Sequence, residues 1–130
     1  MPWPEVFIVF FVAHLTGDFV LQTQWQAANK AGGLGPSVRA RRALLAHLVT
    51  YTLAFVPALV WLWDSLGPGA LGVAALIAGP HLVQDDGRLR DAYIRSVKHM
   101  SPEEYPGIAL AVDQSMHILA LFGVALVAGT

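Results

Sequence analysis

Residues 13–22 read AHLTGDFVLQ and place His14 and Asp18 four positions apart within a long apolar run. In an α-helix this spacing puts both side chains on one face, and Gln22 follows one turn later. The run itself has the length expected of a membrane-spanning helix. An ionisable group inside a bilayer costs roughly 2.5–3.5 kcal/mol. We therefore expect these side chains to pair with other polar groups or to bind a ligand.

The rest of the sequence supports a membrane environment. The chain has 130 residues, of which 55% are apolar and 13% charged, and its mean hydropathy is +0.54. Four apolar segments of about the length that crosses a bilayer follow one another. The predicted fold is all-α: an integral membrane four-helix bundle forming one transmembrane domain. The predicted spans are about 5–26, 42–63, 69–85 and 107–128.

Proline and charge patterns predict where these helices bend or end. Pro57 predicts a kink in the second span, and Gly79-Pro80 predicts an interruption of the third just before His81. Between Asp86 and Met100, apolar residues recur at helical spacing among cations. This pattern predicts a short amphipathic helix on the cytoplasmic membrane surface.

The basic residues predict the topology. All 8 lie in the first and third connections between spans: Lys30, Arg39, Arg41, Arg42, Arg88, Arg90, Arg95 and Lys98. By the positive-inside rule, these connections are cytoplasmic and both termini face outward. The same clusters could hold an anionic lipid headgroup, although topology alone would also explain them.

Each predicted span sends chemistry-bearing side chains into the cytoplasmic half of the membrane. Counting at about 1.5 Å per residue, these groups lie roughly 5–20 Å from the cytoplasmic ends of the spans. Three spans carry a His/Asp pair spaced by four, and the second span carries a histidine with Tyr51 one turn above it. The candidate ligands are His14, Asp18, His47, His81, Asp85, Asp113 and His117.

Imidazole nitrogens and carboxylate oxygens together suit divalent transition metals such as zinc, manganese or iron, and helical bundles hold such ions between facing helices. Four histidines and three aspartates exceed the needs of one tetrahedral ion. Two ions, or one ion with outer Asp–His hydrogen bonds, would use them all. The alternative is polar pairing between helices, which contributes only about 0.6 kcal/mol per pair on average. Three pairs and a histidine at overlapping depth favour a metal site.

The motifs also resemble a known family. Residues 13–25, Leu45-Ala46-His47 with Tyr51-Thr52, Pro80-His81 with Asp85, and Asp113-Gln114 with His117 are similar in order and position to a family of small bacterial inner-membrane proteins known as domain of unknown function 3307. The resemblance implies a bacterial inner-membrane location and no particular activity. A more distant similarity links the His/Asp-rich spans to bacterial membrane-bound metal-dependent hydrolases, although the Thr-His-Ser motif of that group is absent.

We expect a metal-dependent hydrolase acting at the cytoplasmic half of the membrane on a membrane-derived or phosphoester substrate. In this hypothesis the metal activates water and an aspartate such as Asp18 accepts its proton. His47 is either a ligand or the acid–base group. The alternatives are a proton or divalent-ion transporter and a structural or assembly protein, including a homo-oligomer. A net charge of −1 argues against nucleic-acid binding.

Overall fold

The computed structural model describes all 130 residues and is entirely helical. In chain order the elements are α1 (Trp3–Leu15), a π-helical turn (Thr16–Val20), α2 (Gln24–Asn29), α3 (Val38–Ala54), α4 (Val56–Leu66), α5 (Gly69–Asp86), α6 (Arg88–Ser96) and α7 (Pro106–Ala128). Helix α1 packs against α7, α7 also packs on α5, and α5 contacts both α3 and α4. The all-α prediction is therefore confirmed.

The number of membrane spans is confirmed only in part. Two helical stretches are long and apolar enough to cross a bilayer, Trp3–Val20 and Pro106–Ala128, and α3–α4 becomes a third if this bent pair crosses as one. Helix α5 is not among them, because its last turns carry His81, Gln84 and two aspartates.

The C-terminal end of the first helix differs from the prediction. The helix ends at Val20 rather than near residue 26, and a new helix starts after Thr23. There the Thr23 hydroxyl accepts the Gln26 backbone N–H, and the Gln26 side chain accepts the Thr23 N–H. This reciprocal capping satisfies two otherwise unpaired backbone N–H groups. It therefore favours the start of a new helix, α2, over continuation of the first helix.

The two proline positions behave differently. Helices α3 and α4 meet at Phe55 with a 54° bend, beside the predicted kink at Pro57. Helix α5 instead continues through Pro80 to Asp86, so the predicted interruption is wrong. Packing of α5 against four neighbouring helices holds it together despite the missing N–H. It ends at Gly87, whose φ of 83° is readily adopted only by glycine.

The bundle has an apolar end and a polar end. Buried side chains from α1, α3, α4, α5 and α7 form one hydrophobic core, including Phe10, Phe55 and Leu62. The termini meet at this end, where the Thr130 N–H donates to the Met1 carbonyl at 2.9 Å. Toward the other end the core gives way to buried histidines and aspartates.

Candidate metal centre

Four side chains from three parts of the chain converge beneath Tyr51. The π-helical turn supplies Asp18, α3 supplies His47, and α5 supplies His81 and Asp85. All four are at most 4% exposed. A π-helical turn is a rare feature that often occurs at functional sites. Here it carries Asp18 itself.

The ligand atoms of these residues lie close enough to share one ion. Nε2 of His47 is 3.0 Å from Oδ1 of Asp18 and 2.9 Å from Oδ2 of Asp85. Nε2 of His81 is 2.9 Å from the same Asp85 oxygen, 3.8 Å from the Asp18 oxygen and 3.1 Å from Nε2 of His47. A tetrahedral shell with bonds of about 2.0–2.1 Å separates its ligand atoms by about 3.3 Å. The measured distances bracket that value.

A second group shares Asp85 with the first. The other oxygen of Asp85, Oδ1, lies 3.0 Å from Nε2 of His117. Asp113, one turn before His117 on α7, completes a set of three groups whose ligand atoms are mutually within 4.8 Å. The two groups together contain six of the seven side chains predicted from the sequence.

His14 lies outside both groups. Its Nε2 donates to Oε1 of Gln114 at 2.8 Å, which leaves Nδ1 to accept from the Tyr51 hydroxyl at 3.0 Å. Both ring nitrogens are therefore already engaged. The predicted partner Asp18 lies 3.7 Å from Nδ1, too far for a hydrogen bond.

Gln114 connects His14 to the two groups. Its amide nitrogen donates to Oδ2 of Asp18 at 3.3 Å and to Oδ2 of Asp113 at 3.4 Å. Carboxylates only accept, so these contacts fix the orientation of the amide. Outer hydrogen bonds of this kind orient ligands around a metal. His14 and Gln114 are thus placed to support ligands.

The two rings of the first group are held differently from those at most metal sites. Nδ1 of His47 and Nδ1 of His81 are buried and make no hydrogen bond. The His81 ring is positioned instead by stacking on Tyr51, with ring centroids 3.5 Å apart and planes 10° from parallel.

Lys30 is the one basic side chain, apart from the histidines, that contacts the carboxylate of Asp85. It follows α2 and places Nζ 2.9 Å from Oδ2 of Asp85. The loop after it is anchored to the end of α5, since the Asp86 carbonyl accepts the Gly32 N–H and Oδ1 of Asp86 accepts the Leu34 N–H. Arg90 stands nearby, with Nη1 3.6 Å from Oδ1 of Asp113.

Comparison with known families agrees with the resemblance in sequence. A family model described as "Protein of unknown function (DUF3307)" matches residues 6–130. The chain belongs to the DUF3307 family. No curated protein and no solved structure matches it. The similarity to metal-dependent hydrolases therefore has no support from these comparisons.

Sequence reasoning missed two residues of this candidate site. Gln114 had a signal, because an amide next to Asp113 in an apolar span needs a hydrogen-bond partner. Lys30 had no such signal, because it lies in a connection between helices, 55 residues before its partner Asp85 in the sequence. Gln22, one turn after Asp18 in the opening stretch, donates only to the Asp18 backbone carbonyl.

Proposed function

We propose that this DUF3307 protein binds a divalent transition metal within the membrane, through Asp18, His47, His81 and Asp85. The observation that carries the proposal is the convergence of two Nε2 atoms and two carboxylate oxygens at 2.9–3.8 Å. Nitrogen and oxygen ligands of this kind suit zinc, manganese or iron.

Polar packing alone accounts poorly for this arrangement. Nε2 of His47 and Nε2 of His81 face each other at 3.1 Å and both face one oxygen of Asp85. Hydrogen bonding to both carboxylates would require both Nε2 atoms to carry protons, although these nitrogens lie only 3.1 Å apart. A shared cation satisfies all four atoms at once.

A membrane setting is supported by the distribution of side chains. Large apolar residues are exposed around the bundle, including Val20, Leu71, Leu119 and Val127, while four histidines are buried. Apolar exposure on this scale marks a surface that contacts lipid or protein. We propose a multi-pass protein of the bacterial inner membrane with both termini outside.

Hydrolysis is the reaction class that we propose for the centre. A metal held by these residues would lower the pKa of a coordinated water and supply a nucleophile, in a shell expanded beyond its four protein ligands. The site lies near Lys30 and Arg90 at its polar end, whereas Phe10, Phe55 and Leu62 fill the other end. Because this hydrophobic core closes one end of the bundle, a reaction site open at the polar end is favoured over a path for transport through the protein. We assign His47 and Asp18 to metal binding rather than to acid–base chemistry.

Metal analysis of detergent-purified protein tests the proposal. We expect stoichiometric transition metal in the wild type and at least a tenfold loss in His81→Ala and Asp85→Asn. His99→Asn is the matched control, because His99 lies outside the site with a φ of 52° that asparagine tolerates. Chelator should lower the midpoint of thermal unfolding of the wild type but not of His81→Ala. If the wild type contains no metal and chelator does not change its unfolding midpoint, polar packing between helices remains as the explanation.

The reaction class needs a separate measurement. Metal-loaded protein should release p-nitrophenol from a p-nitrophenyl phosphoester, and chelated protein should not. Metal uptake into proteoliposomes without hydrolysis would favour transport instead.

A further inference from the structure

The contact between Asp85 and His117 differs from an ordinary hydrogen bond. Oδ1 of Asp85 and Nε2 of His117 lie 3.0 Å apart, yet both atoms are buried without a hydrogen-bond partner. The side chains of both residues are 1% exposed. Two buried polar atoms that face each other outside hydrogen-bonding geometry are candidates to be satisfied by a third group.

The tautomer of His117 indicates what that group is. Nδ1 of His117 lies 2.7 Å from the Asp113 backbone carbonyl, which can only accept. The proton of a neutral ring is therefore on Nδ1, and Nε2 presents a lone pair to the Asp85 carboxylate. A metal-binding histidine usually has this tautomer, in which a carbonyl accepts Nδ1–H and the lone pair of Nε2 is free to bind the ion.

We propose that a second divalent ion binds between Asp85, Asp113 and His117, so that Asp85 bridges two ions. Asp85 directs Oδ2 at His47 and His81 and Oδ1 at His117. This inference rests on the proposed first centre, whose ligands share that residue.

The two positions differ in completeness. The first group offers four protein ligands, which fills a tetrahedral shell, whereas the second offers three. Three protein ligands with an open position are typical of catalytic sites, and four of structural ones. Asp113 is also the most exposed carboxylate of the set, at 11% of its side chain. Water or an oxygen atom of an anionic ligand is therefore expected at the second ion.

Stoichiometry after reconstitution tests the bridge. Detergent-purified protein is stripped with chelator, loaded with Mn²⁺ or Zn²⁺, freed of excess metal and analysed for bound metal per chain. We expect about two equivalents in the wild type, about one in Asp113→Asn and His117→Gln, about one in Asp18→Asn, and close to none in Asp85→Asn. Asp64→Asn, at the apolar end of the bundle, is the control and should retain two.

The outcomes separate this inference from the proposed centre. One equivalent in the wild type overturns the bridge. Its loss in Asp18→Asn leaves the first centre, whereas its loss only in Asp113→Asn and His117→Gln overturns the first centre instead. No stoichiometric metal in the wild type overturns both. Two equivalents that survive both Asp113→Asn and His117→Gln place the second ion elsewhere and overturn the bridge. Electron paramagnetic resonance of the Mn²⁺-loaded protein adds a readout independent of folding yield: a spin-coupled pair is expected in the wild type, and only uncoupled Mn²⁺ in His117→Gln.

Discussion

Lys30 and a metal ion require the same oxygen atom. The Lys30 ammonium donates to Oδ2 of Asp85, the oxygen that faces both His47 and His81. A cation bound there would repel the ammonium and would have to displace it. In the metal-free protein, however, Lys30 balances the charge of a carboxylate that is otherwise buried.

We therefore predict that Lys30→Met strengthens Zn²⁺ binding by at least about tenfold, which corresponds to about 1.4 kcal/mol. The same substitution should lower the midpoint of thermal unfolding of the metal-free protein. Competitive titration against a fluorescent chelator measures the affinity, with the exposed Lys98→Met as control. Unchanged or weaker binding would show that the ammonium and the ion do not compete.

Gly17 is required by the close approach of Tyr51. A Cβ atom at position 17 would lie 2.6 Å from Cδ2 and 3.2 Å from Cα of Tyr51. The ring has little room to move, because it stacks on His81 and its hydroxyl bonds His14. At Gly72 and Gly123, by contrast, a Cβ would meet nothing within 4 Å.

Gly17→Ala should therefore destabilise the protein by about 1–3 kcal/mol, the usual cost of overpacking. Gly72→Ala, inside α5, should be neutral or slightly stabilising, because alanine favours helix over glycine. Thermal unfolding in detergent compares the two. Equal midpoints for both variants would mean that the bundle relaxes around position 17.

At the scale of elements, α6 presents an unpaired apolar face. Ile94 is buried against the bundle, whereas Leu89, Tyr93 and Val97 are exposed. These three residues repeat every four positions and share one side of the helix. This matches the pattern of a helix on a membrane surface, with its apolar side at the headgroup boundary.

Spin labelling tests that placement cleanly, because the chain contains no cysteine. In proteoliposomes, a nitroxide at Tyr93→Cys or Val97→Cys should be more accessible to oxygen, which partitions into lipid, than to a water-soluble nickel complex. A label at Ala92→Cys, an exposed position on another side of α6, should show the reverse. Identical accessibility at positions 92 and 93 would remove α6 from the membrane surface.

At the scale of the whole molecule, the termini lie side by side. The Thr130 N–H donates to the Met1 carbonyl, and the Trp3 N–H donates to the Thr130 carbonyl. The basic residues in the connections predict that this end faces outward. Reporter fusions should place Gly33 and Ser101 in the cytoplasm, and Gly67 and the C-terminus outside. A cytoplasmic Gly67 would contradict the predicted topology.

Much of this molecule follows from local sequence pattern. Apolar runs and helical spacing predicted an all-helical chain and a short helix between Asp86 and Met100, where the structure has α6. Spacing by four also placed three His/Asp pairs on single helix faces, and six of the seven predicted ligands fall in the two groups. The spacing predicts shared faces because residues four apart lie on one side of a helix whatever surrounds it.

Tertiary structure decided which atoms meet. Spacing cannot report how helices rotate about their axes, and it was packing that directed His14 to Gln114 and Tyr51 instead of to the cluster. The path of a connection is likewise set by its anchors. Asp86 binds the loop that brings Lys30 to Asp85. The sharing of Asp85 between two groups has the same origin, because its two oxygens face α3 and α7 only when those helices pack on either side of α5.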